Sequence, residues 1–199
     1  MSADEARAGD ELGRDHIGDW TIRNIVTTLV PLLAVLSVLQ MVSGTVLETF
    51  EAALLTNPAL LVLVPVMIGT AGNLGSIMCA RLSTQLHLGT FEFSPTNPDL
   101  RATVGAIVGL AGTVFVLLGI ASWAIGHLLG GELGLAPLLV ITVTSGMLLA
   151  VWVVIVSTTA VYVSYRLGYD PDDTTIPVVT NVCDITGVLI LFAVVSIVL

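Results

Sequence analysis

Five stretches without a charged residue limit how this chain can fold: residues 24–47, 52–80, 102–131, 133–165 and 174–199, the last interrupted only by Asp184. About 20 apolar residues in helical rise cross the roughly 30 Å hydrocarbon layer of a bilayer. Each stretch is longer than that. Inside hydrocarbon the backbone has no water to bond, so each run must satisfy its own amides, as a helix does. The alternating segments of about 10 residues that mark a membrane barrel are absent. The expected fold is all-α, with five transmembrane helices at about 25–47, 59–80, 102–129, 138–162 and 174–199. Composition agrees: 55% of the 199 residues are hydrophobic and 11% charged, with a mean hydropathy of +1.00.

The cations set an orientation. There is no lysine, and the six arginines are Arg7, Arg14, Arg23, Arg81, Arg101 and Arg166. With five spans, all six fall in the amino-terminal segment, the second-to-third loop and the fourth-to-fifth loop. Basic loops stay cytoplasmic, which predicts a multi-pass protein of the cell membrane with its amino terminus inside and its carboxyl terminus outside. Residues 1–23 read as an acidic cytoplasmic tail, without the short apolar core and cleavage site of a signal peptide, and residues 24–199 as one five-helix domain. The net charge of −9 and the missing lysines point to a salt-loving host, a halophilic archaeon. They also exclude nucleic acid as a partner, because little is available to neutralise phosphates. Cys79 and Cys183 read as small packing residues.

Segment 65–89, PVMIGTAGNLGSIMCARLSTQLHLG, is unlike a lipid-facing helix. Pro65 removes a backbone donor. Gly69, Gly72 and Gly75 recur every third residue, which predicts that they lie close to one helical face, with Asn73 among them. Small residues let membrane helices approach closely. Together with Pro65 and Asn73, they favour a helix lining a polar path. In the third span Gly105, Gly109, Gly112, Gly119 and Gly126 form a stripe expected to pack within the chain or against a partner. Arg81 is expected to end the second span, followed by a loop over 82–100 that holds His87.

Asp184 is the one charged residue well inside a span. A carboxylate at membrane depth costs about 2.5 kcal/mol or more unless it faces water, a partner or an ion. No arginine is expected at its depth. Thr180 and Asn181 precede it by about one turn, and Pro177 leaves a carbonyl near Asp173 without its helical donor. Every group on that face offers oxygen, which suits a hard cation. Magnesium fits best, because it keeps several waters and needs acceptors for them; Mn2+ and Co2+ are further candidates. One chain supplies one such carboxylate, and a two-fold pair would bring two to a shared axis. Asp170, Asp172 and Asp173 would lower the potential at a cytoplasmic mouth, while Asp173 or Thr174 can cap the last helix. Glu48 and Glu51 stand where an outer mouth would be. No nucleotide motif is present, and no second catalytic group accompanies Asp184, so an enzyme is not expected.

These residues resemble the membrane domain of the MgtE family of magnesium transporters and its relatives in solute carrier family 41. PVMIGTAGNLGS is similar to the family's Pro…Gly-x-x-Gly-Asn-x-Gly signature, ARLSTQLHLG to the solute carrier branch, and GYDPDDTTIPVVTNVCDITG to the pattern before and within the last helix. The resemblance implies a homodimeric pore lined by the second and fifth spans, with Gly72 and Asn73 in its signature. It implies that Asp184 and a main-chain carbonyl near Thr180 hold a hydrated magnesium ion, and that Asp170 lies near a cytoplasmic gate. The family's amino-terminal sensor and paired cystathionine-synthase-like domains have no counterpart in these residues, so gating through them is not expected. The solute carrier relatives carry two five-helix units in one chain; this chain has one, to pair with itself or with a paralogous half-transporter. Exchange coupled to sodium or protons, or a non-conducting partner subunit, are the competing readings.

Overall fold

The computed structural model describes residues 22–89, 94, 96–168 and 171–199, and side chains within these except at 22–25, 28 and 171–174. The helices are α1 (Ile22–Thr49), α2 (Glu51–Thr56), α3 (Pro58–His87), α4 (Pro98–Leu128), α5 (Leu135–Leu167) and α6 (Pro171–Val198). Five are long and apolar enough to cross a membrane, over Leu29–Thr49, Pro58–His87, Pro98–Leu128, Leu135–Leu167 and Thr175–Val198. The protein is therefore an all-α, multi-pass membrane protein.

The described residues fall into two compact units, divided between Val38 and Leu39. In the first, α1 exposes Val30, Leu33 and Val35, side chains suited to a lipid surface. The second unit holds the bundle. There α3 is central and packs on α4, α5 and α6, while α5 also packs on α4 and α6. Leu63, Met67, Met78 and Leu82 of α3 are fully buried, as are Phe115 of α4 and Leu149 of α5. Phe50, just past α1, stacks on Phe192 of α6 with ring centroids 4.2 Å apart.

The helices outrun the apolar stretches because their ends are built from capping chemistry rather than hydrophobicity. Asn97 caps α4, its side-chain oxygen accepting from the amides of Asp99 (2.8 Å) and Leu100 (3.4 Å). Pro98 follows at a position where a missing N–H is harmless, so α4 starts four residues before the expected 102. The second span does not end at Arg81: α3 continues to His87, whose ring nitrogen lies 3.0 Å from the Ser83 carbonyl. At the end of α5, Gly168 adopts φ +75°, the left-handed closing position that glycine takes without strain. Helix α6 begins at Pro171, which puts Asp173 and Thr174 inside its first turn and corrects their expected role as caps.

The glycine stripe of α4 divides. A Cβ on Gly126 would lie 2.7 Å from the Ala59 Cα, and one on Gly119 would meet Leu139 and Thr142. These two glycines pack within the chain. Gly105 and Gly109 have nothing within 4 Å of such a Cβ.

Candidate functional site

Asp184 sits in the middle third of the last span, half-buried. Pro177, Thr180, Asn181 and Asp184 recur at three- and four-residue spacing, so α6 carries them on one face. That face is half-buried throughout. The Thr180 hydroxyl donates to the carbonyls of Ile176 (2.9 Å) and Pro177 (3.0 Å). The Asn181 amide nitrogen also donates to the Pro177 carbonyl, at 2.9 Å. The Thr180 hydrogen and one of the Asn181 amide hydrogens are thus turned into the helix, which leaves the Thr180 and Asn181 oxygens able to accept.

Opposite Asp184 stands Gly72 of α3. A Cβ there would lie 2.7 Å from Asp184 Oδ1, so a glycine is what lets the carboxylate occupy the crossing. One turn on, Gly75 gives room to Val179 and to the Cys183 sulfur, and Ala71 faces Gly187. Cys79 and Cys183 are buried free thiols.

Among the described residues the carboxylate has one side-chain partner. Gln40 of α1 donates from Nε2 to Asp184 Oδ2 at 3.0 Å. Oδ1 is buried against the backbone of Gly72 and, among the described residues, has no donor in hydrogen-bond geometry; Gln40 Oε1 and Ser43 Oγ are buried without a partner as well. Such atoms are rare in folded proteins, and each asks for a reason. Among the described residues no group of three or more His, Cys, Asp or Glu gathers to hold a metal. Among the described residues the site has one carboxylate, with Thr180 and Asn181 on the same face of α6.

The residues singled out from the sequence divide as follows. Asp184, Thr180 and Asn181 share a face, and Gly72 abuts Asp184. Asn73 does not join them: it is exposed, as is Gly69. Of the three glycines, spaced along one side of α3, Gly72 and Gly75 meet α6 while a Cβ on Gly69 would meet nothing within 4 Å; neighbours in a helix stand 100° apart, which separates Asn73 from Gly72. Asp170 and the side chain of Asp173 lie outside the described residues. Glu48 and Glu51 are exposed on an open groove of about 400 Å³ also lined by Gly44, Leu54 and Leu61. Sequence reasoning passed over Gln40 as a site residue.

Comparison with known proteins agrees with the geometry. The family described as MgtE, divalent cation transporter, matches residues 64–194. The magnesium transporter MgtE of Thermus thermophilus is 30% identical over 165 residues, covering 81% of this chain and 34% of the relative. The chain thus spans about a third of the length of that relative.

Proposed function

The chain belongs to the MgtE family of divalent cation transporters, and from that premise we propose that it carries magnesium across the cell membrane through a pore shared by two copies. It is a transporter, not an enzyme. The observation that carries this reading is the Asp184 carboxylate at the α3–α6 crossing, with Oδ1 buried and unbonded. A hydrated cation would give it hydrogens from coordinated water, and Thr180 and Asn181 would accept others.

Pairing of two chains is supported by what one chain leaves open. The Asp184 face of α6 is half-buried, and Asn73 and Gly69 of α3 are exposed. An amide on the outer surface of an apolar span is costly against lipid and suited to a second copy or to water. A two-fold axis beside α3 and α6 would bring two carboxylates to one path. Asp170 and Asp173 would then stand at its cytoplasmic mouth, with the amino terminus inside and the carboxyl terminus outside. The same oxygen set would accept Mn2+ and Co2+. The acidic composition fits a halophilic archaeal host.

A potential of 100 mV, inside negative, is worth about 4.6 kcal/mol for a divalent ion, at about 2.3 kcal/mol per charge. A selective path then suffices for uptake. The test is magnesium uptake into proteoliposomes under an imposed voltage. Wild type is expected to take up magnesium, and Asp184→Asn to abolish uptake while remaining dimeric. Uptake that survives the substitution removes the site. Uptake that follows a sodium or proton gradient instead of voltage replaces the channel with an exchanger.

A further inference from the structure

We propose that Gln40 completes the cation site from the first span: its amide nitrogen fixes one oxygen of Asp184, and its amide oxygen accepts a hydrogen from water bound to the passing divalent cation. The inference rests on Asp184 being the transport site.

Chemistry fixes which way the amide points. A carboxylate only accepts, so Nε2 must face Asp184 Oδ2, as the 3.0 Å bond has it. Oε1 is then committed to the other side, where it is buried and unbonded. A purely structural lock between two helices would leave nothing over. Here three buried oxygens remain: Gln40 Oε1, Asp184 Oδ1 and Ser43 Oγ. Ser43 stands three residues after Gln40, on the same face of α1. The hydroxyls of Thr45, Thr49, Thr186 and Ser196 in α1 and α6 donate back to their own backbone; among the described residues that of Ser43 has no partner, as is also true of Ser157 and Thr158 in α5.

Buried acceptors without donors make a poor resting core and a good host for a ligand that brings only donors. A hydrated divalent cation is such a ligand: each of its waters turns hydrogens outward. Magnesium holds its waters most tightly, so acceptors beyond the reach of the metal still bind it. Holding Oδ2 from one side also leaves Oδ1 as the oxygen that meets the ion, which sets the carboxylate before the ion arrives.

The experiment measures voltage-driven magnesium uptake against concentration for the full chain in proteoliposomes. The proteins are wild type, Asp184→Asn, Gln40→Met and Gln40→Asn. Gln40→Met removes donor and acceptor at similar volume and is expected to raise the half-saturating magnesium concentration about tenfold, the scale of a lost hydrogen bond to a charged group. Its maximal rate should fall less than threefold. Gln40→Asn keeps an amide but draws it back by one methylene; it is expected to raise half-saturation about threefold, and it carries the test alone if the methionine variant does not assemble. Half-saturation unchanged in the variants, while Asp184→Asn abolishes uptake, overturns the role of Gln40 and spares the site. A lower maximal rate at unchanged half-saturation also overturns it, since that marks a contact needed only for assembly. Uptake that persists in Asp184→Asn brings down the underlying reading, and this inference with it.

Discussion

Two crossings in this bundle are made with glycine and come out differently. Where α4 meets α5, Gly146 leaves room for the ring of Phe115, which is fully buried, and Gly119 receives Leu139 and Thr142. The Thr142 hydroxyl donates to the Leu139 carbonyl at 3.2 Å. Apolar groups fill the gap, and the Thr142 hydroxyl is satisfied. Where α3 meets α6, Gly72 admits the Asp184 carboxylate and leaves Oδ1 without a donor. Small residues bring both pairs of helices together. What enters the gap decides whether the crossing is a fixed joint or a polar site.

The sharpest way to break this comparison is Gly72→Ala. The added methyl would stand 2.7 Å from Asp184 Oδ1 and push the carboxylate off its position. Voltage-driven uptake is expected to fall about tenfold or more, the scale of losing one interaction with a charged group. Stability should change little, because a side chain rather than backbone must yield. Uptake in proteoliposomes and thermal unfolding in detergent check the two halves. Transport at the wild-type rate would make this crossing a joint like the other.

Gly146→Ala is the mirror test. Its methyl would overlap the Phe115 ring, which is fully buried. Overpacking of this kind destabilises by about 1–3 kcal/mol. The unfolding midpoint should drop, while uptake per folded protein stays within about twofold. Lost uptake without lost stability would extend the path into the α4–α5 crossing.

The same contrast explains how much the sequence revealed. The five spans were legible because uncharged length is a strong signal, and Asp184 because a lone acid in such a run is conspicuous. The ends were read short: Asn97, Pro98 and Gly168 carry their information in backbone geometry, not in hydropathy. Asn73 was grouped with Gly72 by adjacency, yet one residue of helix turns it 100° away. Gln40 left no trace, because its contact with Asp184 joins residues 144 apart in the chain. A single neutral amide in an apolar run says nothing about which helix it will face. Only the assembled bundle shows that its donor meets the acid and its acceptor meets nothing.

The smallest expected effect separates the partner-facing surface from the rest. Gly109 in α4 is exposed, and a Cβ there would meet nothing within 4 Å. Alanine favours a helix over glycine by about 0.8–1 kcal/mol, so Gly109→Ala should leave the unfolding midpoint equal or slightly raised. If two copies meet beside α3 and α6, the methyl lies away from their contact, and both uptake and the dimer fraction should match wild type. Light scattering of the detergent-solubilised protein reads the dimer fraction directly. Dissociation would mean that Gly105 and Gly109 seat a second copy closely enough for one methyl to part them. The shared axis would then lie against α4, and the half-buried face of Asp184 would need another neighbour.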